Sequence, residues 1–176
     1  LPRALLARID AYSGAVPTRE ALNAAKQSAQ VLRQRMVALQ EELDWQCYQA
    51  YGLLPADAQV TCPQELVPPV QLGERAFDIA LARRVAAGQE KTSWFDRHGS
   101  KPIAEIPMHW PEDYRRVVQR RIDLVESDRH IGLIERPEYK RRWSTPAWDD
   151  LERAALREWL LDWLEASQLW PASVDH

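Results

Sequence analysis

The sequence predicts an all-α protein, and three observations carry the prediction. The stretch Thr18 to Leu54 keeps one unbroken helical period. Apolar stripes at helical spacing return in Leu72 to Ala87, after Pro111, and from Ser144 to Leu164. Eight Trp in 176 residues supply large apolar surfaces suited to a compact helical core. With 45% apolar and 28% charged residues, the composition is that of a soluble globular chain and excludes gross disorder.

The long period sets apolar or small residues at Leu22, Ala25, Ala29, Leu32, Met36, Leu39, Leu43 and Ala50, with Gln46 the one polar interruption. This alternating 3-4 spacing keeps a single seam on one side of a helix. Thr18 is placed to cap the start, and Gly52, Leu53 and Pro55 form a stop signal. At about 1.5 Å per residue the rod is roughly 50 Å long, a length that suits a spacer or spine. Leu1 to Tyr12 reads as a short amphipathic helix with Leu5, Leu6 and Ile9 on one side, stopped at Ser13-Gly14. Packed back on the spine, it makes Leu1 to Leu54 a helical hairpin. Trp45, Tyr48 and Tyr51 gather at the end of the spine and are the candidate docking residues for a neighbouring lobe or protein.

Pro55, Pro63, Pro68 and Pro69 interrupt any helix between Pro55 and Gln71, so residues 55–71 are expected to be an extended linker. Residues 72–170 are expected to form a compact Trp-rich lobe, followed by a tail at 171–176. Within the lobe, Ala76, Phe77, Ala80, Leu81 and Val85 form a stripe that Gly88 stops. An irregular stretch from Gln89 follows, and Pro111, Glu112 and Asp113 open the next helix with acids at its positive end. Tyr114, Val117, Val118, Ile122 and Val125 face inward there, leaving Arg115, Arg116 and Arg120 outward. Ser127 to Trp143 is a turn-containing crossover. Thr145-Pro146 opens a final run, apolar around more than half its circumference and so expected to be the central helix of the lobe.

Charge is segregated along the chain. Residues 115–142 hold nine Lys or Arg against five acids, a balance of +4 in a chain whose net charge is −3, so the remainder carries −7. A face bearing Arg115, Arg116, Arg120, Lys140, Arg141 and Arg142, interleaved with Tyr139 and Trp143, is the candidate DNA-backbone contact. The same arginines also suit a solvated helix face paired with nearby acids. Glu138-Tyr139-Lys140 fits the short E-x-K pattern of some metal-dependent nucleases, with Asp123 or Asp128 upstream, but Pro137 leads into a basic turn where such a motif needs strands. His98, His109 and His130 match no zinc spacing, and no metal site is expected. No phosphate loop, nucleophile elbow or Cys-His pair is present, so no catalytic residue is assigned. Cys47 and Cys62 make no disulfide framework, which points to a reducing cytoplasm. No apolar run reaches the roughly 18 residues of a membrane span, and no signal peptide opens the chain. Its first residue is Leu1, not Met, which is expected of a fragment.

Five blocks carry a family resemblance: MVALQEELDWQCYQAYGL (Met36 to Leu53), LGERAFDIALARRVAAG (Leu72 to Gly88), TSWFDRHGSKPIAEIP (Thr92 to Pro107), HWPEDYRRVVQRRIDLVESDRHIGLIERPEYKRRW (His109 to Trp143) and PAWDDLERAALREWLLDWLE (Pro146 to Glu165). Together they resemble the C-terminal region of the PglX adenine-specific DNA methyltransferases of phage growth limitation and BREX phage-defence systems. The resemblance implies a parent enzyme that moves a methyl group from S-adenosylmethionine to adenine in DNA. It also implies that this segment binds no cofactor of its own, since the N-P-P-Y-type motif and cofactor loop of such enzymes are not in it. The partners implied are DNA and the rest of the methyltransferase; the alternative reading is a protein-interaction module that docks other defence proteins through its aromatic surface.

Overall fold

A computed structural model describes residues 16–143 and 145–165. The expected first arm at Leu1 to Tyr12, Trp170 and the tail at 171–176 lie outside the described residues. Helix α1 runs Arg19–Ala50, as the 3-4 spacing predicts. Thr18 Oγ1 accepts from the Ala21 N–H at 3.2 Å, which satisfies one of the orphan donors of the first turn. At the other end the Leu53 N–H reaches Tyr48 O at 2.9 Å and the Gly52 N–H reaches Gln49 O at 3.0 Å. This is a Schellman stop, and its left-handed residue is Gly52 at φ +70°.

The other helices are α2 (Ala76–Ala86), α3 (Trp94–His98), α4 (Glu112–Ser127), α5 (Arg129–Ile134) and α6 (Trp148–Leu164). Among the described residues there is no strand, and the fold is all-α. Two of these helices interrupt stretches expected to be irregular. Helix α3 is one turn and a half inside the Gln89 to Pro111 stretch, and α5 is opened by the Asp128 carboxylate, which accepts from the His130 and Ile131 N–H groups at 2.8 and 2.9 Å. Asp128 therefore ends α4 and starts α5, a sharp corner rather than a crossover loop.

The chain divides into two compact units. One takes the segments up to Val31 and from Thr145 onward; the other is Leu32–Ser144. Helix α1 contributes to both. In the first unit Arg19 and Glu152 form an ion pair at 2.5 Å, and Trp148 Nε1 donates to the same carboxylate at 3.0 Å. The expectation that α6 is a central helix does not hold among the described residues. Ala155 is its one buried residue, while Leu160, Leu161, Trp163 and Leu164 are exposed.

The second unit has the main core. Val37, Ala38 and Trp45 of α1 pack with Val60 and Val70 of the proline-bearing stretch, Ile79 and Ala80 of α2, Tyr114, Val118 and Ile122 of α4, and Ile131 of α5. Residues 55–71 are irregular apart from a 3-10 turn at Gln64–Leu66, but Ala58, Val60, Cys62, Val67 and Val70 are buried. Arg35 of α1 holds this stretch by donating to Gln64 O and Val67 O, both at 2.8 Å. A second cluster joins Phe77, Leu81 and Ala82 to Trp94 and Phe95.

In this unit α1 is turned the other way round from the apolar seam. Leu32, Met36 and Leu43 are 44–52% exposed, whereas Val37, Ala38, Glu41, Glu42 and Trp45 are buried. At about 100° per residue these two sets lie on opposite sides of the helix. The inward face wins because it carries the indole of Trp45, wholly enclosed, and because its two glutamates find buried cationic and N–H partners.

Candidate functional site

The charged residues of the second unit sort into a buried set and an exposed set. The buried set is built on the inward face of α1. Arg121 of α4, with no exposed surface, donates from Nη2 to Glu42 Oε1 at 2.6 Å and from Nε to Val60 O at 2.7 Å, and Nη1 lies 3.9 Å from Glu41 Oε1. Its guanidinium sits 5.5 Å from the Trp45 ring centre and 6.0 Å from that of Tyr114. Glu42 also accepts from the Cys62 N–H at 2.9 Å, and Glu41 from Trp45 Nε1 at 3.3 Å and the Ala76 N–H at 3.1 Å. One pair of glutamates thus ties α1 to the start of α2, to α4 and to the proline-bearing stretch. Burial works against the Arg121 cation, but Glu41 and Glu42 outweigh it and raise its pKa.

Further along α1 a second knot forms around Lys140. Its ammonium meets Glu135 closely, with Tyr48 Oη at 3.1 Å and Asp44 Oδ2 at 3.2 Å, and Tyr48 donates to Glu135 at 2.6 Å. Burial pushes the Glu135 carboxyl up, against the pull of Lys140. For Lys140 burial acts against the charge, and Glu135, Glu41, Tyr48 and Asp44 more than restore it. Burial, followed by Glu135, raises the Tyr48 phenol. A third pair lies at the entry to α2, where Asp78, wholly buried, accepts from Arg75 Nε at 2.9 Å and Trp94 Nε1 at 2.8 Å. Arg75 also donates to Arg141 O at 3.1 Å, so the backbone bearing Arg141 is held from beneath.

The predicted residues divide between these sets. Arg116, Arg120, Arg141 and Arg142 are exposed and Arg115 is half-buried, with Nη1 3.4 Å from Met108 Sδ. Arg116 pairs with Asp113, and the Arg141 guanidinium lies 4.4 Å from the Trp143 ring centre. Among the described residues Arg120, Arg129, Arg136 and Arg142 form no ion pair. Lys140 is drawn inside instead. With Lys140 and Arg121 buried, seven of the nine bases in residues 115–142 remain accessible; with Glu135 buried, so do four of the five acids. Of the aromatic trio, Trp45 is core, Tyr48 is engaged with Glu135, and Tyr51 is 83% exposed.

The E-x-K residues do not converge, since Glu138 is exposed and Lys140 is buried. His98 is buried, stacked on Trp94 at 3.9 Å with Nδ1 2.7 Å from Trp94 O, while His109 and His130 are exposed. Among the described residues no three His, Cys, Asp or Glu are grouped to hold a metal ion. Nor is any described helix long and apolar enough to cross a membrane.

Residues 36–176 match the family described as Domain of unknown function (DUF7008). The chain belongs to this family. It is also 54% identical over 158 residues, 89% of its length, to the adenine-specific methyltransferase PglX of Streptomyces coelicolor. That alignment takes in 13% of PglX, so the chain spans about an eighth of the length of the curated relative it matches. No solved structure matches the chain. The DUF7008 match opens at Met36, within α1, and contains both buried knots in full. The residues that sequence reasoning missed are Glu41, Glu42, Arg121 and Glu135. The one available signal was the Glu41-Glu42 pair set four and three residues before Trp45, an acidic step on what proves to be the packed face.

Proposed function

We propose that the chain is a helical, non-catalytic domain of a PglX-like adenine-specific DNA methyltransferase in phage defence. The observation that carries this reading is the 54% identity over 158 residues to PglX. In it, α1 spaces the catalytic part of the parent from the part that recognises DNA. Arg115, Arg116, Arg120, Arg141 and Arg142 contact the DNA backbone. Exposure supports Arg116, Arg120, Arg141 and Arg142, and Arg75 and Trp143 give Arg141 a supported geometry. Lys140 is left out because its ammonium is already engaged in the interior. Phosphate contacts of this kind fix register without reading sequence. Base choice, the flipping of adenine out of the duplex and the binding of S-adenosylmethionine belong to the rest of the parent, working in the cytoplasm.

The test is charge reversal in the full-length enzyme. Arg116→Glu, Arg120→Glu, Arg141→Glu and Arg142→Glu together are expected to weaken DNA binding and to flatten its salt dependence, by about 0.9 in the log-log slope for each phosphate no longer neutralised. Unchanged affinity and slope in a folded variant would refute the backbone-contact assignment.

A further inference from the structure

The chain that follows the 3-10 turn Pro137–Tyr139 has no regular structure of its own. The Tyr139 and Lys140 N–H groups close that turn on Arg136 O and Pro137 O at 3.0 and 3.3 Å, and past Lys140 the backbone bonding nearly stops. Among the described residues, the Arg141 carbonyl is the one backbone group of Arg141, Arg142 and Trp143 with a hydrogen bond, accepted from Arg75 at 3.1 Å. Two exposed arginines thus stand on a length of chain with little backbone support.

Lys140 supplies what the backbone lacks. Its conformation is extended, with φ −89° and ψ 142°, so neighbouring side chains point to opposite sides. A Lys140 side chain turned inward, 4% exposed, therefore turns Arg141 outward. The ammonium has three N–H donors and meets three acceptors, the Glu135 carboxylate, Tyr48 Oη at 3.1 Å and Asp44 Oδ2 at 3.2 Å. Tyr48 in turn donates to Glu135 at 2.6 Å. Tyr48 and Asp44 belong to α1 and Glu135 directly follows α5, so the ammonium is fixed from two elements. A buried apolar side chain is placed by shape alone, whereas directed bonds to an ion set where its end lies and so constrain the backbone that carries it.

We infer, resting on the proposed reading of Arg141 and Arg142 as DNA-backbone contacts, that Lys140 is their positioning residue. Its own ammonium is saturated and enclosed, and it acts by fixing the outward pose of the two arginines. Arg75 assists from beneath Arg141 O, and Arg75 is itself held by Asp78 at 2.9 Å. Trp143 assists from the side, packed against the main core with its ring centre 4.4 Å from the Arg141 guanidinium. Guanidiniums set in place beforehand lose less freedom when they meet a phosphate, so the pose raises affinity without adding a contact.

The experiment measures the salt dependence of DNA binding by the full-length enzyme. The parent is compared with Arg141→Gln plus Arg142→Gln, with Lys140→Met plus Glu135→Gln, and with all these substitutions together. Replacing Lys140 and Glu135 at once keeps the net charge and leaves neither charge buried alone, so the overall charge that DNA meets is unchanged. Denaturant unfolding of the same samples confirms that each is folded. The arginine pair is expected to reduce the log-log slope by about 1.8, two phosphates at about 0.9 each. The charge-neutral pair is expected to reduce it by more than half as much, and the combined variant no further than the arginine pair alone. If the charge-neutral variant does not fold, Tyr48→Phe takes its place. It deletes one acceptor but keeps the ion pair, and it is expected to give a smaller reduction that vanishes once Arg141 and Arg142 are replaced. A folded positioning variant with the parental slope, or reductions that add in the combined variant, would overturn the positioning role and leave the DNA contact standing. A parental slope in Arg141→Gln plus Arg142→Gln would refute the contact itself, and the positioning role with it.

Discussion

Arg120 and Arg121 are adjacent on α4, and their surroundings have almost nothing in common. Arg121 is sealed between Glu42, Val60 O, Trp45 and Tyr114; Arg120 is exposed and forms no ion pair among the described residues. Lys140 and Arg141 repeat the contrast at the other end of the basic stretch. A run of like charges is thus two populations, one serving as internal struts and one left for solvent or a polyanion. Local charge density does not separate them. What separates them is whether a buried carboxylate waits opposite, because an unpaired charge in the interior costs several kcal/mol and a solvated one costs almost nothing.

The largest expected break in this comparison is Arg121→Met. It leaves Glu41 and Glu42 buried without their cation and is expected to cost about 3–5 kcal/mol in denaturant unfolding. Arg120→Met next to it should stay within about 0.5 kcal/mol. Equal losses at both positions would mean that the two arginines do not differ as described.

Next comes Lys140→Met, expected to cost about 3 kcal/mol because Glu135 loses its cation in the interior. Adding Glu135→Gln should return more than half of that loss, and a double variant no more stable than the single one would contradict the pairing. The pH dependence sharpens the same point. A carboxyl whose folded pKa is raised binds its proton more readily in the folded state, so the folded state is favoured at low pH and loses ground as pH rises. The Lys140→Met protein should therefore gain stability relative to the parent as pH falls from 7 toward the ordinary glutamate value of 4.5, and Glu135→Gln should remove that gain.

The smallest effect is at the corner between α4 and α5. Hydrogen bonds from the Ile131 and His130 N–H groups hold the Asp128 carboxyl below its ordinary value of 3.8. A depressed acid contributes stability above its unfolded pKa that is lost as pH falls through the folded one. Asp128→Asn, which keeps a capping oxygen, should flatten this acid limb, whereas Asp128→Ala should lower stability across the whole pH range. An acid limb unchanged in Asp128→Asn would show that the cap is not ionic.

Much of the fold was legible because its signals are local. The extent of α1, its Thr18 cap and its Gly52 stop follow from hydroxyl and glycine chemistry within a few residues. So does the opening of α4 at Pro111 with Glu112 and Asp113. Helices α3 and α5 were not legible. Each is under two turns and leans on partners distant in sequence, Phe77 with Leu81 for Trp94 and Phe95, and the main core for Ile131. The candidate contact face was legible in part, since Arg115, Arg116, Arg120, Arg141 and Arg142 are accessible. Lys140 and Trp45 read as surface only until their distant partners are known.

From the sequence by itself came the helical class, the length and caps of α1, the segregation of basic charge and the kinship with PglX. Each is written in neighbouring residues or in contiguous blocks. Which side of α1 faces the core was decided only in three dimensions. Periodicity favours the Leu32-Met36-Leu43 seam, but burial follows the face whose charges are met by Arg121, Lys140 and backbone N–H groups from elsewhere in the chain. A buried carboxylate is tolerable only beside its partner, and no local pattern reveals a partner 79 residues away.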